Sequence, residues 1–175
     1  LLLADRQAGV PGSAVAAVLE GHRPVLVEVQ ALVSPRPAGT GGYGSRTVTG
    51  LVPRRIDLIL AVLAQRAQLD LSTSDVFVSV AGGLTVREPA ADLAIAAAVM
   101  SAASGRAVPG DVMRVGEVGL TGELRSVPEP ARRISEAARL GFNRIVAPRD
   151  RNAQPAEGGA EWARSARVHE GSPPS

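Results

Sequence analysis

Only four aromatic side chains (two Phe, one Tyr and one Trp) are spread over 175 residues. A hydrophobic interior must therefore be assembled from Ala, Val, Leu and Ile, within a hydrophobic fraction of 45%. That fraction and length suit one domain with a sizeable core. No apolar run approaches the roughly 20 residues that a membrane helix requires. Cysteine is absent, which removes disulfides, thiolate nucleophiles and cysteine zinc sites together. The chain opens Leu1-Leu2-Leu3, with neither Met nor a basic leader. It reads as a piece of a longer, cytoplasmic protein and not as a secretory signal.

The 19 basic residues are all arginine, against 17 acidic residues, for a net charge of +2. Lysine does not occur. Guanidinium stays protonated up to a pH of about 12 or more, so a sequence pI near 10.3 arises here without a large net charge. The high pI alone does not argue for a nucleic-acid partner; clustering of arginines on one surface would.

Residues 13–19 and 24–32 are two apolar strands joined by a short turn containing Gly21 and His22. The stretch 34–45 is rich in Gly, Pro and Ser and reads as a mobile surface loop, followed by a short strand at 46–50. Ile56, Ile59, Leu60 and Leu63 fall at helical spacing within 54–69. A strand is predicted over 75–81, broken by Gly82-Gly83. An Ala-rich helix is predicted over 89–104, with Pro89 in its first turn and Gly105 at its end. A strand over 112–118, a turn at 119–122, a short strand to Val127, a helix over 130–140 and a strand over 144–147 complete the reading. The mixture, with its opening hairpin, is an α/β or α+β domain. Residues 1–12 read as a linker and 13–150 as the domain. Residues 151–175 read as a polar, disordered tail with at most a short helix around Trp162.

Several chemistries are excluded by residue type. A GxxxxGK[ST] phosphate loop needs a lysine. The glycines at 39–44 have no strand feeding them and no helix directly after, so they read as a surface loop. A zinc site needs three or four convergent ligands, and the only histidines are His22, in a turn, and His169, in the tail. Neither is placed to serve a Ser-His-Asp triad.

Three segments carry a family resemblance. They are Val80-Ala81-Gly82-Gly83-Leu84 leading into Glu88-Pro89-Ala90-Ala91-Asp92-Leu93-Ala94; Val115 to Arg125 (VGEVGLTGELR); and Arg133 to Phe142 (RISEAARLGF). Together with the order and spacing of residues 11–33 and 46–63, they resemble the C-terminal domain of the bacterial RadA (Sms) family of DNA-repair ATPases. The resemblance spans about 8–148. It implies a fold similar to the Lon proteolytic domain and to the ribosomal protein S5 domain 2-like group. It implies a role in recombination and branch migration, with DNA, single-stranded or branched, as partner and a hexameric ring as assembly. ATP, Mg and zinc are implied only for N-terminal domains that this chain lacks.

Lon enzymes use a serine nucleophile and a lysine whose amine, desolvated, acts as its base. On this sequence those positions fall at Ala90 and near Ala131. No register can supply the dyad to a chain without lysine, and neither Arg132 nor Arg133 deprotonates near neutral pH. The expectation is therefore a non-proteolytic domain.

The DNA-contact candidates are Arg46, Arg55 and Arg125, where the RadA pattern places basic residues, with Arg54 beside them. Arg87 stands two positions beyond a further basic site of that family near Thr85. Arg54 and Arg55 open a helix, where the dipole disfavours cations and where first-turn amides bind phosphate. The competing expectation is that these arginines pair with carboxylates such as Asp57, Glu88 or Glu123. Arg132, Arg133 and Arg139, interleaved with Glu129 and Glu136, read as a solvated helix face. A domain that only scaffolds a ring, without touching DNA, is the alternative function.

Overall fold

The computed structural model describes residues 3–148 and the backbone of 166–170. A seven-stranded mixed sheet forms its centre. The first hairpin pairs β1 (Ser13–Glu20) antiparallel with β2 (Arg23–Pro35) around a turn at Gly21-His22. β2 also pairs antiparallel with β4 (Ser74–Val80), and β3 (Arg46–Thr49) runs parallel to β4 at the edge. On the other side β5 (Val112–Arg114) lies parallel to β1, and β8 (Arg144–Pro148) parallel to β5. A separate small hairpin joins β6 (Glu117–Val118) to β7 (Leu124–Arg125).

β1 reads Ser-Ala-Val-Ala-Ala-Val-Leu because both of its faces are covered, so it runs apolar without alternating with polar residues. Ala14, Ala16 and Val18 pack with α1 (Pro53–Arg66) and α2 (Asp92–Ser104) on one face. Val15 and Ala17 face the other way, into a second core with Met113, Phe142, Ile145 and Ala137 of α3 (Pro130–Arg139). With so few aromatics, volume is matched by bringing elements close. Alanines 94, 96 and 98 of α2 and 14 and 16 of β1 are all buried. No helix among the described residues is long and apolar enough to cross a membrane.

Several expectations are adjusted. The predicted 54–69 helix ends at Arg66, after which Gln68 adopts a positive φ of 56°. The Ala-rich helix opens with a separate 3-10 turn at Pro89–Ala91. The predicted strand 112–118 is two strands, interrupted at Val115-Gly116, where Gly116 N donates to Ala90 O at 3.0 Å. Residues 3–12, read as a linker, are tied to the domain by Arg6, whose Nη1 donates to Gly110 O at 2.7 Å. The expectation of a disordered tail fails at 166–170. There β9 (Ala166–Glu170) pairs antiparallel with β8 and includes His169. β8 would otherwise be an edge with unpaired amides and carbonyls, which a further strand satisfies. The remainder of that tail, 151–165 with Trp162 and 171–175, lies outside the described residues.

Candidate nucleic-acid interface

β3 turns into α1 at Gly50, which has φ +73°; a Cβ there would overlap the carbonyl oxygen of Leu84. The same stretch is stitched to the 84–88 segment. Val86 N donates to Gly50 O at 2.8 Å, and Leu51 and Val86 form an isolated parallel bridge. Arg87 is thereby carried to the start of α1. That start has Pro53 in its first turn, no side-chain cap on Val52 and no acidic residue. Pro53 has no N–H and Arg55 N donates to Val52 O at 3.0 Å, so of the first-turn residues the Arg54 amide is the one left without a partner among the described residues, at the positive end of the helix dipole.

Arg54 and Arg87 are exposed and make no hydrogen bond or ion pair with any described residue. Arg55 turns inward. It forms an ion pair with Asp92, Nη2 closing on Oδ2, and its Nε is 3.3 Å from Oδ1. Asp92 is 1% exposed and also accepts Val118 N at 3.0 Å, so one carboxylate ties α1, α2 and β6 together. Burial pushes the Asp92 carboxyl above the usual aspartate range, against the opposing pull of Arg55 and the Val118 amide.

Arg46 is held by backbone carbonyls. Its Nη1 donates to Ser74 O at 2.7 Å and to Ser45 O at 3.2 Å, and its Nη2 donates to Leu71 O at 3.0 Å. Arg125 pairs with Glu123 at 2.7 Å, with more than half of its side chain in solvent. Of the five candidates, the Leu51–Val86 bridge brings Arg54, Arg55 and Arg87 to one edge. Arg125 joins that edge indirectly, through β6 and Asp92. Arg46 lies at the far end of β3.

Glu123 is the acceptor that shapes the β6–β7 turn. It takes bonds from the Thr121 hydroxyl and amide and from Arg125. The Thr121 hydroxyl first, then its own backbone amide and Arg125, hold its carboxyl down to about 2. A carboxyl lowered on folding stabilises the fold above its ordinary value of 4.5. That contribution is lost as pH falls from there toward 2. Carboxyl-detected NMR titration should place the Glu123 midpoint near 2 and return it toward the ordinary value in Thr121→Val. A wild-type midpoint at the ordinary value would refute this turn geometry.

The two positions onto which the resemblance lays the Lon dyad differ in setting: Ala90 is buried in the second core, while Ala131 is exposed on the first turn of α3. Between these segments sits the residue that the sequence reading missed. Arg133 is 0% exposed, which corrects its reading as part of a solvated face. Its guanidinium is bidentate to Glu88, at 2.6 and 2.9 Å, and also donates to Ala17 O and Pro128 O. Glu88 in turn accepts Leu19 N at 2.6 Å. The signal was present in the helical spacing of 133, 137 and 140, which puts Arg133 in line with buried Ala137. Arg132 and Arg139 pair with Glu129 and Glu136 on the exposed face, as expected.

Comparison with known proteins places this geometry. A family model described as subunit ChlI of Mg-chelatase matches residues 54–151, from α1 through α3 and β8. The chain belongs to this ChlI family. It is also 45% identical over 152 residues to the DNA repair protein RadA of Halalkalibacterium halodurans, covering 87% of this chain and 32% of that protein. To the DNA repair protein RadA of Mycolicibacterium smegmatis it is 46% identical over 148 residues, 85% of this chain and 31% of the relative. To that of Rickettsia felis it is 43% identical over 146 residues, 83% and 32% respectively. The chain thus spans about a third of the length of the curated relatives it matches. The resemblance to RadA carried by the three motifs is met by these relatives. Within the ChlI-matched residues there is no lysine and hence no GxxxxGK[ST] element.

Proposed function

We propose that this chain is a non-proteolytic, Lon-like domain of a RadA-type DNA-repair ATPase of the cytoplasm, and that it grips nucleic-acid phosphates at the start of α1. One observation carries the reading. Arg54 and Arg87 are exposed cations without carboxylate partners among the described residues, placed beside a helix start with no side-chain cap and no acid in its first turn. A phosphate there meets two guanidinium groups and the Arg54 amide together. Arg55 serves as a positioning residue, fixing α1 through Asp92. Among the described residues Arg125 is bound by one exposed pair, with Glu123, which is weak and can be exchanged for a phosphate. Arg46 supports the turn at residues 71–74.

A Lon-type Ser-Lys dyad is not available in this reading, since alanine stands at 90 and 131 and lysine is absent throughout. ATP, Mg and zinc belong in this reading to domains outside this chain, which supports branch migration and does not drive it.

Electrophoretic mobility shifts test the proposal. The double variant Arg54→Ala/Arg87→Ala should weaken binding to duplex and single-stranded DNA alike, because phosphate contacts carry no base code. Arg46→Ala should change binding much less. Unchanged affinity in the double variant would end the assignment.

A second reading, assembly of a hexameric ring, is favoured by α2. That helix carries Leu93, Ala97 and Met100 on its outer stripe, with Met100 44% exposed, and a helix apolar all round is usually covered. Taken alone, as pure scaffolding, it predicts a ring by sedimentation with no DNA affinity even at low salt.

A further inference from the structure

The loop between β2 and β3 exposes its one aromatic side chain. Tyr43 is 86% exposed, in a chain with only four aromatic residues. Its backbone is nevertheless firmly held. Arg36 Nη1 donates to Tyr43 O at 2.9 Å and to Gly41 O at 3.2 Å. Gly44 N donates to Ser72 O at 2.7 Å, and a Cβ on Gly44 would overlap the carbonyl of Ser74. Ser45 is bound through its amide and hydroxyl to Asp75 at 2.8 and 3.0 Å. The loop expected to be a mobile connector therefore presents a ring to solvent from a backbone tied down on both sides.

Arg36 supplies the second element. Only its Nη1 is engaged; Nε and Nη2 make no hydrogen bond with the described residues. Arg36 acts on Asp75, whose carboxyl lies below its ordinary range chiefly through Ser45, with smaller contributions from Arg36 and Arg46. Asp75 is already occupied by Ser45 and forms no ion pair with Arg36. An exposed ring on the residue whose carbonyl the guanidinium holds, with N–H groups of that guanidinium unengaged among the described residues, matches one unpaired nucleotide, the base stacking and the phosphate pairing.

We propose that Tyr43 and Arg36 form a stacking site for a single unpaired nucleotide. This rests on the nucleic-acid reading above and adds to it a preference for single strands, which phosphate contacts at α1 do not give. In a duplex the bases are stacked on each other and leave Tyr43 nothing to stack on.

The test is fluorescence anisotropy with the whole chain, using a labelled oligothymidylate of about 15 nucleotides and a labelled duplex of equal length. Tyr43→Ala should lower affinity for the single strand by about five- to hundredfold and leave duplex affinity within twofold. Tyr43→Phe, which keeps the ring, should bind as wild type. Arg54→Ala/Arg87→Ala, measured alongside, should weaken both ligands. Full single-strand affinity in Tyr43→Ala would overturn the stacking site and assign the exposed ring to a protein contact, while the α1 grip would stand if the double variant still weakens binding. An equal loss on both ligands in Tyr43→Ala would also overturn it, since stacking is selective. No binding of either ligand by wild type would overturn both readings.

Discussion

Arg133→Met is expected to lower the free energy of unfolding by about 3–5 kcal/mol, read from urea denaturation. For a domain whose total stability is typically about 5–15 kcal/mol, that loss is large. The substitution leaves Glu88 unpaired, and although 24% of that side chain is in solvent, Ala17 O and Pro128 O lose their Arg133 donors at the same time, which keeps the cost at the level of a broken buried pair. Methionine fits the aliphatic part of the space but offers none of these bonds. Glu88→Leu should be comparably harmful, since it strands a guanidinium that is wholly out of solvent and also deprives Leu19 N of its acceptor. The double variant removes both charges. Its loss should fall short of the sum of the two singles by about 1–3 kcal/mol, the signature of groups that act together. Additive losses would mean that the two side chains are not coupled.

Asp92→Ala is expected to cost about 2–3 kcal/mol, below the full penalty for a broken buried pair because Arg55 keeps 24% of its side chain in solvent. The substitution leaves Val118 N without its acceptor and frees Arg55 to swing away from α2. Asp92→Asn keeps an oxygen for the Val118 amide and should lose less than Ala. Because Asp92 orients the start of α1 through Arg55, the Ala variant should also bind DNA more weakly while remaining folded. Chemical denaturation and the mobility shift separate the two effects: normal stability in Asp92→Ala would remove Asp92 from its place as the joint between helices and hairpin.

The elements were legible in the sequence because their signals are local. Alternating burial on two faces follows from the unbroken apolar run of β1, and α1 follows from Ile56, Ile59, Leu60 and Leu63. The Arg125–Glu123 pair, two residues apart, was equally readable. What decides the candidate site is not local. Arg55 meets Asp92 from 37 positions away and Arg133 meets Glu88 from 45, distances along the chain that no periodicity encodes. The sequence therefore put Arg46, Arg55 and Arg125 ahead of Arg54 and Arg87, whereas the fold pairs Arg55 and Arg125 with carboxylates, holds Arg46 on carbonyls, and leaves Arg54 and Arg87 without partners among the described residues. The β9 strand escaped detection because pairing of a short polar segment depends on the free edge of β8, which sequence pattern does not display.

The measurement closest to the central claim is DNA affinity as a function of salt for the whole chain and for Arg54→Ala/Arg87→Ala. The logarithm of the binding constant should fall linearly with the logarithm of salt concentration. In the variant the slope should be shallower by about two, one unit for each phosphate contact removed. Identical slopes for the two proteins, or affinity indifferent to salt, would contradict a phosphate grip at the start of α1.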